Sequence, residues 1–270
     1  MYGSDDHTIW YDYDIVSAYT TVMAMMCHPS YNEHKNLSLQ ELNLMTNTDI
    51  LYSFIIIQCD FKFPEKVKYP SIACFIDETS TVYPLSGSAF LTGSEYLLAK
   101  SQGCEFQIKS IDYIPFRPGV YPFKRTIKDL QNLRSQHAKG SILNALYKDL
   151  GNSLYGLTAR GISSKKRFDL KAGKTVKLEV NDLANPIICS WITSFIRSLV
   201  GELLHFLSEK GGRVVSVTTD GFITDIPDLE NILNTFTGYS LYNEYCKTRF
   251  ELSNSSTGLE LKKSGEGIVS

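Results

Sequence analysis

Lys148-Asp149-Leu150-Gly151-Asn152-Ser153-Leu154-Tyr155-Gly156 is the stretch from which the rest of the chain can be read. Lys148, Asn152 and Tyr155 stand at i, i+4 and i+7, so a helix places them on one face. Gly156 follows directly, where a side chain would obstruct a close neighbour or where the helix must end. That face presents an ammonium, a carboxamide and a phenol ring. Together they can hold a phosphate, a sugar or base edge, and a base plane, and a nucleotide is the ligand that needs all three. On an arbitrary helix the same residues more often form a solvated cation beside a core aromatic. The weight therefore falls on what else the chain supplies.

It supplies two carboxylates in strand contexts. Trp10-Tyr11-Asp12-Tyr13-Asp14-Ile15-Val16-Ser17-Ala18-Tyr19 alternates aromatic or aliphatic residues with acids, the pattern of a strand that delivers Asp14 at its end. Ser17-Ala18-Tyr19 then turns into an apolar run, Val22 to Met26, the size of a short buried helix. Arg213 to Asp225 holds two β-rich runs flanking Asp220-Gly221, and Asp-Gly between β-branched residues is a strong hairpin signal. Alone, Asp-Gly is ordinarily only a turn. Two acids on adjacent strands, however, are a common way to hold Mg²⁺, which takes one or two carboxylates together with substrate phosphates. A pair of such ions stabilises both the attacking and the leaving oxygens of an in-line displacement.

In order and wording, these segments resemble the three polymerase motifs of family B DNA polymerases, most closely the protein-primed branch of phages, viruses and linear plasmids. Asp14-Ile15-Val16-Ser17-Ala18-Tyr19-Thr20 matches the family's D-x-x-S-L-Y-P at Asp, Ser and Tyr, with Ala18 and Thr20 departing from it. Lys148 to Gly156 matches K-x-x-x-N-S-x-Y-G at every fixed position. The third pattern, Y-x-D-T-D-S, is matched at Thr219 and Asp220, while Ser216, Thr218 and Gly221 replace the family's Tyr, first Asp and Ser. The resemblance runs roughly from Trp10 to Lys263.

The resemblance implies an α+β fold: a polymerase palm, which is an antiparallel sheet backed by helices, with a helical-hairpin fingers subdomain and an insertion. It implies template-directed transfer of a nucleotide from dNTP to a primer 3′-hydroxyl, or to a protein hydroxyl at initiation. Asp14 and Asp220 would carry two Mg²⁺ ions, for which Mn²⁺ can substitute, and Lys148 completes the catalytic set. Arg134, with Lys139 as a second candidate, would join Lys148 on the triphosphate. Tyr19 would lie beneath the sugar as a steric gate, with Asn152 and Tyr155 at the nascent base pair. Lys262, within Gly258-Leu259-Glu260-Leu261-Lys262-Lys263, resembles the palm lysine that approaches the primer terminus. The implied partners are primer-template DNA, dNTP and a terminal priming protein. The alternative is a non-catalytic module that binds nucleic acid or protein on the same fold. Thr218 favours it. Retention of Asp14, Asp220 and Lys148 opposes it, since a scaffold has no use for two carboxylates in mutual repulsion.

Composition is that of a globular chain. Its 270 residues suffice for one large or two modest domains with a real core. Six cysteines are scattered with no C-x-x-C pair, which argues against a zinc knuckle and for reduced thiols in a cytoplasmic setting, bacterial or in the host cell of a virus or plasmid. No signal peptide is expected at Met1, and no consecutive apolar run reaches the ~18 residues of a membrane helix, so no membrane partner is expected. The net charge of −2 hides an asymmetry. Residues 124–182 hold 13 Lys or Arg against 5 Asp or Glu, and the remainder holds 14 against 24. A basic segment on an acidic body suits a duplex-contacting surface beside a metal site, with Lys165, Lys166 and Arg167 as candidate DNA contacts.

Coarse organisation follows. Residues 1–30 form the first palm strand and its helix. Residues 31–123 continue the palm, with strands at 50–63, near Ile72 to Ile76, near Val82 to Pro84 and at Glu105 to Ile114, and a helix from Ser94 to Gln102. Ser30 to Asp49 and Pro64 to Gly93 read as inserted segments. Residues 124–160 give a helical hairpin with apolar Ile127, Leu130 and Leu133 on one helix and Ile142, Leu143, Leu146 and Leu150 on the other; Ser141 is the N-cap. Residues 161–270 return to the palm through a hairpin at Arg167 to Val180 and an amphipathic helix from Pro186 to Lys210 that stops at Gly211-Gly212. Family members carry an exonuclease domain before the first motif and a thumb after the third. With 13 residues before Asp14 and 50 after Asp220, the chain is expected to be a palm-and-fingers piece lacking both.

Overall fold

The structure is a computed structural model, and it describes residues 8–77, 80–160, 166–177, 179–233 and 240–266. The chain opens with strand β1 (Ile9–Ile15) and helix α1 (Ala18–Met25), then two short strands, β2 (His28–Pro29) and β3 (Lys35–Asn36). Two short helices follow, α2 (Leu39–Leu44) and α3 (Asn47–Leu51), each opened by a reciprocal Ser/Thr–acid cap. Strand β4 (Ser53–Lys62), the two-residue strands β5 (Cys74–Phe75) and β6 (Thr81–Val82), β7 (Ser86–Thr92), α4 (Gly93–Ser101) and β8 (Glu105–Arg117) complete the first half. Helices α5 (Lys124–Ser135) and α6 (Ile142–Ala159) form a hairpin, followed by the two-stranded β9 (Lys166–Asp169) and β10 (Lys174–Lys177). Then come α7 (Pro186–Glu209), β11 (Val214–Val217), β12 (Gly221–Thr224), α8 (Leu229–Leu233), α9 (Leu241–Ser253) and β13 (Leu259–Glu266).

The sheet that matters most is assembled from both ends of the chain, in the order β11-β12-β1-β13. Its strands are antiparallel, with Asp14 opposite Gly221 on one side and opposite Glu260 on the other. Helices α1, α7 and α9 pack against one another in the main core. In α1 every residue except Tyr19 is buried. Side chains such as Val22 and Met23, fully removed from water, each contribute about 1.5–3 kcal/mol of hydrophobic stabilisation. A second sheet, β2-β8-β4-β7 with β3 also paired to β8, fills out the residues between the first and second motifs.

Several sequence expectations are corrected here. β7 pairs along the length of β4 from within the stretch that read as inserted, because its Ser-Gly-Ser start masks a strand. Ile50 and Leu51 belong to α3, where the Thr46–Asp49 cap overrides their β propensity. The expected strands near Ile72 and Val82 shrink to the two-residue pair β5 and β6. On β1, Tyr13 and Ile15 face the core, while Trp10 is buried beneath the Arg213 guanidinium, 5.2 Å from its ring. Alternation on β1 holds, and a register shift between Asp12 and Tyr13 leaves Lys262 of β13 as the extra residue. The apolar residues of the α5–α6 hairpin are mostly exposed: Leu133, Ile142, Leu143, Leu146 and Leu150 all face solvent, and only Ile127 is in the core. Finally, α7 is by length and composition apolar enough to cross a membrane, contrary to the expected absence of such a run. Consecutive-run counting missed it because Arg197 and Glu202 interrupt the helix. Eleven of its 24 residues are buried, and Arg197 pairs at 2.7 Å with Glu95 on α4, so its apolar surface serves the protein core.

Glycine positions separate close approach from mere flexibility. A Cβ on Gly221 would lie 2.4 Å from Asp14 Oδ1 and 2.7 Å from the Tyr13 carbonyl oxygen, so β1 and β12 approach as they do only because that side chain is missing. Gly156 is different from its expected role: nothing lies within 4 Å of its missing Cβ, and α6 runs on to Ala159. Close contact belongs instead to Gly151, whose Cβ would meet the Thr20 methyl at 3.1 Å. Gly221→Ala should therefore lose about 1–3 kcal/mol of stability by overpacking, whereas Gly156→Ala should gain about 0.5–1 kcal/mol by favouring the helix. Urea unfolding of the two variants measures both; a neutral Gly221→Ala would contradict the close β1–β12 approach.

Candidate active site

The end of β1, the start of α1, the α5–α6 hairpin, the β11–β12 connection and β13 converge on one cleft of about 600 Å³, a volume within the range of small-ligand sites. Its wall includes Asp14, Tyr19, Arg134, Lys139, Lys148, Asn152, Tyr155, Asp220 and Lys262. Residues drawn from four separate segments of the sequence are thus neighbours in space.

The β1–α1 turn is fixed by its backbone. Ile15 N–H donates to the Asp220 carbonyl at 2.7 Å and Val16 N–H to the Gly258 carbonyl at 2.9 Å. The Val16 carbonyl accepts the Tyr245 hydroxyl. Ser17 adopts a left-handed conformation (φ 56°, ψ 41°), uncommon for a residue with a side chain, and so reverses the chain into α1. Tyr19 is thereby the single residue of α1 left uncovered, and its ring meets that of Tyr155 on α6 at 4.3 Å between centroids. Burial, with Tyr155 and Asp220 adding, pushes the Tyr19 phenol up to about 12. Tyr155 is anchored in turn by a 2.7 Å hydrogen bond between its hydroxyl and that of Thr193 on α7.

Asp220 closes a three-residue connection, Thr218–Asp220, in which Thr218 N–H donates to the Gly221 carbonyl at 2.8 Å. The Asp-Gly pair is therefore no two-residue turn: Gly221 begins β12, its φ is not positive, and its glycine requirement comes from Asp14. Burial, and after it the neighbouring charge of Asp14, raises the Asp220 carboxyl above its ordinary value, while Lys262 and Lys148 oppose the shift. The site brings the two carboxylates together at an electrostatic disadvantage that nearby cations only partly offset.

The cations come from two directions. Lys262 on β13 lies 3.5 Å from Asp14 Oδ2 and 2.8 Å from Glu260 Oε2. On the α5–α6 connection, Lys139 reaches Glu260 Oε1 at 3.2 Å, and Arg134 near the end of α5 donates to Asn144 Oδ1 at 3.5 Å. Lys148 and Asn152 are exposed on α6, one turn apart along the same wall. Ser141 caps α6 as expected, accepting from Asn144 N–H. Lys166 and Arg167 lie exposed on β9 and do not line this cleft; Lys165 lies outside the described residues. Sequence reasoning assigned no role to Glu260, whose register opposite Asp14 only pairing discloses. It also passed over Gln131, which lines the cleft with both amide atoms buried and unpartnered among the described residues. Its spacing of three from Arg134 was the one available signal. All six cysteines are free.

Comparison with known proteins agrees with this geometry. Residues 6–185 match the family described as DNA polymerase type B, organellar and viral. Over 237 residues the chain is 34% identical to the primer-independent DNA polymerase PolB of Escherichia coli, covering 84% of this chain and 26% of that protein. Among solved structures it resembles Phi29 DNA polymerase complexed with primer-template DNA and incoming nucleotide substrates, with a TM-score of 0.59 and 18% identity over 84% of this chain and 41% of that one. The Phi29 enzyme complexed with single-stranded DNA gives the same TM-score at 16% identity, covering 96% of this chain and 43% of its own. An antiparallel sheet carrying paired acids, backed by helices and faced by a helical hairpin, is the architecture of a polymerase palm. The chain belongs to the type B DNA polymerases of organellar and viral type. It spans about a quarter of the length of the curated relative it matches and about two fifths of the Phi29 chain.

The raised Asp220 acid has a measurable consequence. An acid whose folded value exceeds its unfolded one stabilises the fold below the ordinary 3.8 and loses that contribution as pH rises through the folded value. Asp220→Asn removes the loss. Its melting temperature should match that of the parent in acid and exceed it near neutrality, and Asp14→Asn should move the Asp220 titration, followed by carbon NMR, downward. An Asp220 carboxyl that titrates at or below 3.8 would remove the proposed repulsion.

Proposed function

We propose that this chain is the catalytic palm and fingers of a template-directed DNA polymerase, transferring a nucleotide from a dNTP to a 3′-hydroxyl on primer-template DNA. The observation that carries it is the convergence of Asp14, Asp220, Lys148, Arg134, Asn152 and the Tyr19–Tyr155 pair on one cleft of nucleotide size. In domain terms, residues 1–30 and 161–270 supply the palm with the first and third motifs, 31–123 the palm with inserted segments, and 124–160 the fingers.

The donor set suits a hard divalent cation. Asp14 and Asp220 are oxygen donors close enough for one to raise the other's carboxyl, and positive charge between them would relieve that repulsion. These two residues would hold Mg²⁺, or Mn²⁺ in its place; two such ions, when bound, stabilise the attacking and leaving oxygens of phosphoryl transfer. The chain's own residues do the positioning. Lys148 and Arg134 offset triphosphate charge from the hairpin side, and Lys139 adds to them once released from Glu260. The Tyr19 ring, packed at a tilt against Tyr155, forms the floor under the sugar and leaves no room for a 2′-hydroxyl. Asn152 lies one turn before Tyr155 and faces the nascent pair. This is catalysis by orientation and electrostatics, as phosphoryl transfer requires. Lys166 and Arg167, with Lys165, would contact duplex phosphates away from the cleft, and Lys262 the primer end.

Two sources fit the initiating hydroxyl. A terminal priming protein accords with the motif wording. A start without any primer accords with the 34% identity to a primer-independent polymerase, well above the 18% to Phi29 polymerase. Synthesis on single-stranded template with no primer and no added protein, measured in the longest natural polypeptide that carries this chain, separates them.

In the same assay Asp14→Ala and Asp220→Ala should each reduce incorporation by about three orders of magnitude or more, the scale of losing a principal electrostatic contributor. Lys148→Ala should raise the dNTP KM and lower kcat together, because its charge meets ground and transition state alike; an effect on DNA affinity alone would make α6 a duplex contact. Tyr19→Val should admit ribonucleotides far more readily while keeping dNTP use, and unchanged sugar choice in an active variant would remove Tyr19 from the gate. Near-normal extension by either carboxylate variant would leave the non-catalytic binding module as the better reading.

A further inference from the structure

Glu260 stands beside the candidate carboxylates without belonging to the motifs. It is the register partner of Asp14 across β1 and β13, so both side chains rise from the same face of the sheet. Among the described residues no three acids come together as a metal-binding group, so Glu260 is not a third ligand in this arrangement. Its contacts are with cations. Glu260 Oε2 takes Lys262 at 2.8 Å and Oε1 takes Lys139 at 3.2 Å.

Lys262 has two claimants. Its ammonium lies 2.8 Å from Glu260 and 3.5 Å from Asp14, so Glu260 holds it by the shorter contact. A lysine carries a compact charge on a stem of four rotatable carbons and settles on whichever anion is free. Both partners are roughly two-fifths exposed, so the bridge adds little to stability. What it changes is where the charge sits. An ammonium moved fully onto Asp14 would neutralise the carboxylate that must receive a cation.

We propose that Glu260 is a positioning residue that draws the Lys262 ammonium aside and so keeps Asp14 open to a divalent cation. The proposal rests on the polymerase reading of Asp14. Lys139 is not the route. It is 87% exposed, and its bridge to the other carboxylate oxygen leaves the Lys262 contact in place.

Mn²⁺ binding to the protein without DNA or nucleotide, followed by the electron paramagnetic resonance of free Mn²⁺, tests this without any turnover. Glu260→Gln should weaken binding about five-fold, the value of one partly exposed ion pair, and the loss should disappear when the same substitution is made in Lys262→Ala. Lys139→Ala should leave Mn²⁺ affinity unchanged. Equal weakening by Glu260→Gln in both backgrounds would mean that Glu260 acts on the cation directly, and no weakening in either would mean that it does not act at all; each overturns the proposal. A crystal structure of Glu260→Gln gives the second measurement. Lys262 Nζ within hydrogen-bond reach of Asp14 supports the proposal, and Lys262 turned to solvent overturns it. Parent binding of Mn²⁺ that ignores Asp14→Ala would instead count against the metal role of Asp14, and the crystal structure would then decide the position of Lys262 alone.

Discussion

The site depends on one close approach, that of β1 to β12 where Asp14 faces Gly221. A side chain at 221 would collide with the Asp14 carboxylate and the Tyr13 carbonyl. With hydrogen there, the two strands pair in register, Asp220 falls at the end of the β11–β12 connection, and its carbonyl accepts from Ile15. Two acids from sequence positions more than 200 apart then share one end of a sheet. The arrangement opposes folding locally, since burial and the neighbouring Asp14 charge disfavour ionisation of Asp220. It persists because the elements around it are over-determined. α1 is buried on every residue but one, and the turn that precedes it is held by the Gly258 carbonyl, the Asp220 carbonyl and the Tyr245 hydroxyl. Strain and repulsion at a site, held by a rigid surround, are the usual signature of a place selected for chemistry.

How much of this was legible in the sequence depends on the range of the interaction. The Lys148–Tyr155 face needed only helical periodicity, and the structure sets those residues along one wall of the cleft. Ser141 as a cap and Gly211 after α7 were likewise local, and Gly211 has the positive φ that such a position requires. β7 failed because small residues weaken strand propensity, while pairing to β4 over all seven of its residues supplies the stabilisation that propensity lacks. The Asp-Gly turn failed in a more informative way. The dipeptide was read as local turn chemistry, but the glycine answers to a residue on another strand. Glu260 was invisible for the same reason: its partner is set by register with β1, and no spacing within 258–263 announces it.

The polar groups of the cleft also divide by the kind of order that holds them. Asp14 sits on a strand paired on both sides, and Asp220 ends the short connection beside it with its carbonyl held by Ile15 N–H, so their separation is fixed before any ligand arrives. Lys262 shares the sheet but reaches its place through a flexible stem, which makes its counter-ion decisive. Gln131 is held by packing with no hydrogen-bond partner for either amide atom among the described residues, an unmet demand that a polar ligand in the cleft can satisfy.

The α5–α6 hairpin is built on different terms from the sheet it faces. Only Ile127 of α5 and only Gly151 and Thr158 of α6 are buried, and the apolar residues that would normally cement a helix pair point into solvent. Elements with few buried apolar contacts open at lower free energy than the core does. Lys139, Arg134 and Lys148, the cations suited to a triphosphate, all ride on this lightly held hairpin, whereas the carboxylates ride on the most buried part of the chain. A ligand that is anionic on one side and bound through cations to carboxylates on the other would bridge the two. The attraction that positions such a ligand would then also draw the hairpin toward the sheet, coupling the two elements through the ligand between them.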